Sequence, residues 1–267
     1  MKKNTLLSAE YFSQVSQALV QAGAHRPTLV VDKQRLDENL DALLAVIQTG
    51  FDYRIVAKSL PSVPLLQYIM QRSGSNRLMS FHLPFLLHVV EHLPQADILL
   101  GKPMPVASAR QFYQWHQSLV TSSFNPATQL HWLVDSLERL QQYQALAKEL
   151  DCPLNINLEL DVGLHRGGFN TDSINTRTEL NRALELLKAD DRLILTGLMG
   201  YEAHVSKIPK IIGGADKAFK QAMKSYQDCL LHVVTVFGRS YCNCLLYTPE
   251  AADKTKSGQL SGRQISQ

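Results

Sequence analysis

Lys58 closes a short apolar run, Tyr53–Ser59, and Arg54 precedes it by four residues. In an extended strand, residues 54, 56 and 58 share one side. A lysine at the end of an apolar strand that faces a cleft is desolvated, and its amine becomes a nucleophile toward carbonyls. The same lysine also fits a side chain that snorkels out of a strand end. A second group of polar residues follows the run Leu154–Asp161. It reads Asp161-Val162-Gly163-Leu164-His165-Arg166-Gly167-Gly168. Glycines that bracket a turn let backbone approach a ligand, and Arg166 reaches an oxyanion with a planar fork. A third group, Gly200-Tyr201-Glu202-Ala203-His204, closes the run Leu193–Tyr201.

The elements that must position these groups alternate. Apolar runs at Thr28–Asp32, Tyr53–Ser59, Arg77–Phe81, Asp97–Gly101, His131–Asp135, Leu154–Asp161 and Leu193–Tyr201 read as strands. Stretches with apolar residues three and four apart lie between them. Examples are Leu36 to Ile47, Phe112 to Val120, Leu180 to Leu187 behind a Thr176/Glu179 capping box, and Ala215 to Phe237. Each such stretch predicts a helix with one buried face. Near-continuously apolar strands that alternate with helices predict a parallel β/α fold. Neither a G-x-G-x-x-G after the first run nor a phosphate-cradling G-x-x-x-x-G-K-[ST] occurs, which leaves a closed barrel as the expectation. Ligand chemistry in such a barrel collects at the C-terminal strand ends. Those ends here also include Ser80-Phe81-His82, Gly101-Lys102 and Asp135-Ser136.

Taken together, Arg54-x-x-x-Lys58-Ser59, Glu159-x-Asp161-Val162-Gly163-x-x-Arg166-x-Gly168 and Gly197-Leu198-Met199-Gly200-Tyr201-Glu202-x-His204 resemble the fold-type III pyridoxal-phosphate enzymes. The chain looks closest to the D-threonine aldolase / D-serine dehydratase-like branch of the alanine racemase N-terminal superfamily, from about Arg26 to about Phe237. The resemblance implies a TIM-type (β/α) barrel and pyridoxal 5'-phosphate held as a Schiff base on Lys58. It implies Arg166 near the cofactor's phenolic oxygen and Tyr201 and His204 beside its ring and phosphate. Arg54 would sit under the lysine. The implied activity is a lyase reaction, aldolase or dehydratase, on small D-amino acids. An amino acid racemase and a non-catalytic pyridoxal-phosphate homeostasis protein are the alternatives.

The resemblance further implies six of eight barrel strands, counted from that of Lys58, and no C-terminal β-domain. Thr28–Asp32 belongs with that domain in the family. Metal ligands of the aldolase and dehydratase branch lie there too, so none are assigned in this chain. The expected segments are an N-terminal helix in 1–25, the incomplete barrel in 26–237 and a non-native or disordered tail in 238–267. Cys244-Leu245-Leu246-Tyr247-Thr248 in that tail resembles a translated sequencing adaptor. An open barrel has unpaired strand edges, so the chain as written is expected to be inactive or unstable. The full-length form is expected to be a homodimer.

Composition bounds the rest. The net charge of +3, from 27 basic and 24 acidic side chains that are scattered, argues against nucleic acid. The absence of an 18-residue apolar run argues against a spanning helix. Four cysteines in 267 residues make no disulfide framework, which predicts a cytoplasmic protein. His88-Val89-Val90-Glu91-His92 matches the H-x-x-E-H zinc pattern on an outer helix. Without a further glutamate context it is expected to be an ordinary surface helix. Cys242-x-Cys244 is read as noise, and Phe81 and Met199 as barrel filling.

Overall fold

The computed structural model describes residues 8–47, 51–58, 61–119, 122–209, 211 and 213–238. The chain divides into two compact units, Met1–Gln48 and Thr49–Gln267.

The first unit holds α1 (Ala9–Gln21) and α2 (Lys33–Leu44). Each is opened by a side-chain oxygen that accepts from a first-turn amide, Ser8 from Tyr11 and Asp32 from Arg35. Tyr11 donates its hydroxyl to Asp32 at 3.0 Å, and Arg35 lies 4.4 Å from the Tyr11 ring centre. The expected strand Thr28–Asp32 does not form, and residues 27–32 are irregular chain. A run of β-branched residues becomes a strand only beside a partner, and no described segment of this unit pairs with it. Leu29, Val30 and Val31 are accordingly exposed.

The second unit is a parallel (β/α) barrel sheet of six strands in sequential order. They are β1 (Ile55–Val56), β2 (Arg77–Ser80), β3 (Asp97–Leu100), β4 (Leu130–Val134), β5 (Leu154–Leu160) and β6 (Leu193–Gly200). All five pairings are parallel. Between them run α3 (Val63–Ser73), α4 (Leu83–His92), α5 (Val106–Gln117), the single turn α6 (Pro126–Gln129), α7 (Leu137–Leu150) and α8 (Ile174–Ala189). After β6 come a 3-10 turn (Val205–Lys207) and α9 (Gly214–Phe237). The α8 cap differs from the expectation. Ser173 and Thr176 form the reciprocal box, and Glu179 instead accepts the Leu137 amide at 3.2 Å. The helix starts at Ile174, three residues earlier than the spacing implied, so Ser173 is the N-cap and Thr176 falls at the third helical position of the box.

Alternation along the strands sorts two faces. Ile55, Leu78, Ile98, Leu130, Leu154 and Leu193 form one register row and are all buried, as are Trp132, Ile156 and Leu195 in the next. Leu86, Phe112, Tyr143, Leu146 and Leu184 of the helices join them in one apolar cluster. The two largest polar side chains in this layer keep their hydrogen bonds: Trp132 donates to the Tyr113 hydroxyl at 3.0 Å and Tyr143 to the Met104 carbonyl at 3.1 Å. The opposite face carries Arg54, Arg77, Asp97, His131, Asn157 and Thr196 around a cavity of ≈ 290 Å³. Arg54 before β1 pairs with Asp97 of β3 at 2.7 Å, and His131 of β4 bonds Thr196 of β6 at 2.9 Å. Both contacts skip a strand. Side chains of strands two apart meet only where a sheet curls strongly toward that face, which identifies it as the barrel interior. A register shift at Ile156/Asn157 leaves Thr196 as an extra residue and sets Gly197 opposite Asn157, and Thr196 accepts from the Asn157 amide at 2.9 Å.

Among the described residues no helix is long and apolar enough to cross a membrane. The tail expected at 238–267 falls, except for Gly238, outside the described residues, as does Cys242-x-Cys244.

Candidate active site at the strand ends

Lys58 stands two residues past β1 and continues its alternation. Ile55 and Ala57 are buried toward the helices, whereas Val56 and Lys58 are open on the interior side. The β1–β2 register, carried forward, sets Lys58 beside Phe81, and the β2–β3 register sets Phe81 beside Gly101. The side chains agree: the Lys58 ammonium lies 4.7 Å from the Phe81 ring centre. The Phe81 ring fills the space where a β-carbon on Gly101 would stand, 2.4 Å from its nearest atom. Phe81 therefore supports the lysine rather than merely filling the barrel, a role its aromatic type at a strand end could have signalled. Lys58 itself is exposed, so the full desolvation expected of it is not present here. The six strands leave its side of the mouth open. Ser59 lies outside the described residues.

The β5 end builds the opposite wall. The chain leaves at Asp161 and returns at Phe169, whose amide donates to the Glu159 carbonyl at 2.8 Å while the Asp161 amide donates to the Phe169 carbonyl at 2.9 Å. Gly168 makes this return possible. Its φ is +105°, and a β-carbon there would lie 2.8 Å from the Glu159 carbonyl oxygen. Asp161 organises the turn by accepting the amides of Gly163 (3.0 Å) and His165 (2.9 Å) and contacting the His165 ring at 2.9 Å. These bonds hold His165 at φ +54°, a conformation uncommon for a non-glycine residue. Burial acts to raise the Asp161 carboxyl, but those donors outweigh it and hold the carboxyl below its ordinary range.

Arg166 leaves this turn with Nε 2.8 Å from Glu159 Oε1, and its guanidinium packs 4.8 Å from the centre of the Tyr201 ring at the β6 end. Glu159 is 3% exposed. Burial raises its carboxyl above the ordinary range, the Arg166 bond opposes this, and Asp135 and Lys102 act from the β4 and β3 ends with opposite signs. Glu159, Asp135 and Lys102 were visible in the sequence as polar strand ends. That Glu159 would anchor Arg166 was not, because the pair forms only when the turn folds back. His204 follows Tyr201 and faces Gly163, whose β-carbon would come 3.3 Å from His204 Nε2. His204 Nδ1 is buried and, among the described residues, has no hydrogen-bond partner.

Four of the five expected site residues thus stand at the C-terminal strand ends: Lys58 at β1, Arg166 at β5, Tyr201 and His204 at β6. Arg54 lies at the other end of β1. Its guanidinium pairs with Asp97 and donates to the Leu78 and Asp97 carbonyls at 3.0 and 3.1 Å, so it ties β1 to β2 and β3. A primary amine, a fixed guanidinium, a phenol and an unpaired imidazole nitrogen around glycine turns fit an aldehyde cofactor that carries an anionic oxygen and a phosphate.

Comparison with known proteins identifies the fold and the family. No curated protein sequence matches the chain. Among solved structures, alanine racemase from Bacillus anthracis with bound L-Ala-P superposes with a TM-score of 0.60 at 17% identity, over 80% of this chain and 50% of that one. D-threo-3-hydroxyaspartate dehydratase from Delftia sp. HT23 gives 0.59 at 15% identity, over 77% and 50%. Histidine racemase from Leuconostoc mesenteroides gives 0.54 at 15%, over 72% and 46%. The chain spans about half the length of the structures it matches, and at these identities the likeness concerns the fold. The family model for the alanine racemase N-terminal domain matches residues 31–246, and the chain belongs to that family of pyridoxal-phosphate enzymes.

Proposed function

We propose that this chain forms the cofactor barrel of a pyridoxal-phosphate enzyme that acts on small D-amino acids, by retro-aldol cleavage or β-elimination, with Lys58 as the attachment residue. One observation carries this reading: Lys58 closes β1 on the interior side, its ammonium against Phe81, at the mouth that also holds Arg166, Tyr201 and His204. When bound, the cofactor supplies an aldehyde for an amine and a ring that withdraws electrons from the amino acid Cα. The protein does the rest. Lys58 presents its amine at the β1 end and would hold the cofactor and move a proton as acid or base. Arg166 would hold positive charge toward the cofactor's phenolic oxygen, and its ion pair with buried Glu159 keeps it from swinging into solvent. Tyr201 backs that guanidinium, and His204 Nδ1, without a partner among the described residues, would be available to the ring or phosphate. Arg54 acts from below by fixing β1, and Asp97 balances its charge. In the whole protein the site would be completed by a partner subunit in a cytoplasmic homodimer.

The test is product analysis on the whole protein that contains this barrel, with pyridoxal phosphate added, with and without a divalent metal. D-threonine should give glycine and acetaldehyde, or D-serine should give pyruvate and ammonia. Racemisation of alanine with neither cleavage product would instead support the racemase.

A further inference from the structure

We propose that His88, Glu91 and His92, in the last turn and a half of α4, form a surface site for a divalent transition metal of the zinc, nickel or copper class, with zinc as the probe. One ligand atom from each of the three lies within 4.8 Å of the others. Residues four apart on a helix share a face, so the two imidazoles stand one above the other, with ring centres 4.3 Å apart. His92 Nδ1 is 2.9 Å from the His88 carbonyl oxygen, which can only accept. The proton therefore sits on Nδ1, and Nε2 carries the lone pair. A ring nitrogen fixed by a backbone carbonyl while the other is left for the metal is the usual arrangement around histidine ligands.

Two nitrogens at about 2.1 Å from one zinc can be no more than about 4.2 Å apart. The cluster's ligand atoms lie within 4.8 Å of one another, so at most a small closure is needed. All three side chains are exposed, so small side-chain rotations close it without moving the core. Two imidazoles and a carboxylate favour zinc, nickel or copper over magnesium or calcium, which prefer all-oxygen shells. Three protein ligands leave a fourth position for water. The charge is well placed, because the α4 C-terminus presents unpaired carbonyls that favour a cation. Helix α4 begins at the barrel mouth after β2 and runs back along the outside. Its last turn is therefore at the far end from Lys58, and the site stands whether or not the proposed activity does.

The experiment is isothermal titration of the metal-free full chain with zinc chloride, in a Cys242→Ser/Cys244→Ser background that removes thiol competition. The expected result is saturable 1:1 binding. His88→Ala and His92→Ala should each weaken it at least about tenfold, with Glu91→Gln giving a smaller loss. Far-UV circular dichroism should be unchanged, since the three positions are exposed. Absence of saturable binding, or equal binding by the double variant His88→Ala/His92→Ala, overturns the proposal. Lys58→Ala should bind zinc as the parent does.

Discussion

Replacing Asp97 by asparagine should uncouple the barrel interior from acid. Asp97 sits between Arg54 (2.7 Å) and His131 (3.2 Å) and so links β1, β3 and β4. Burial acts to raise its carboxyl, yet the His131 hydrogen bond and the Arg54 charge outweigh burial and hold it at about 2, against an ordinary 3.8. A native value depressed by nearly two units corresponds to about 2 kcal/mol once partial exposure is discounted. The group binds its proton more weakly when folded. Its contribution is therefore complete above pH 3.8 and disappears as pH falls from 3.8 toward about 2. Asp97→Asn keeps the shape, removes that dependence and leaves the Arg54 guanidinium interior without its counter-charge. The expected loss at pH 7 is about 3 kcal/mol or more. Urea unfolding followed by circular dichroism at pH 7, 5, 3.5 and 2.5 measures both effects. The parent should lose about 1.4 kcal/mol more than the variant between pH 5 and 2.5, the remainder disappearing only toward and below pH 2. Parallel curves, or an Asn variant as stable as the parent at pH 7, would refute the ion-pair account.

Other consequences can be checked on the same material. Gly168→Ala forces a side chain at φ +105° against the Glu159 carbonyl and should cost about 3 kcal/mol or more by urea unfolding, with weaker cofactor uptake. Arg166→Ala leaves Glu159 buried and unpaired and should cost about 3 kcal/mol at pH 7, much of it recovered by adding Glu159→Gln. Cys229 is buried in α9 and burial pushes its thiol up to about 12, so it should resist a thiol-specific reagent in the native protein and react once urea unfolds it.

How much of this was legible in the residues depends on the range of the forces involved. Strands β2 to β6 follow from local apolar runs, and the mouth from the polar residues that end them. Lys58, Arg166, Tyr201 and His204 arrive there because a parallel barrel collects its strand ends. Thr28–Asp32 looked like a strand for the same local reason and is not one, since pairing is a property of a neighbour. Helices α3 and α7 went unnamed, although Gly74 at φ +68° and Ser136 mark where they stop and start. The Glu159–Arg166 pair, the Phe81 shelf under Lys58 and the Arg54–Asp97–His131 tie are contacts between residues that no periodicity relates. Arg54 shows the limit best: its side of the strand was predictable from period two, but its partner on β3 was not.

The central claim is that the Lys58 amine is the one that captures the cofactor aldehyde. Incubation with pyridoxal 5'-phosphate, borohydride reduction, digestion and mass spectrometry read this directly. The account predicts a pyridoxyl mass on the peptide that contains Lys58, lost in Lys58→Ala and reduced in Arg166→Ala. Labelling of another lysine with Lys58 unmodified, or equal labelling of Lys58→Ala, would contradict it.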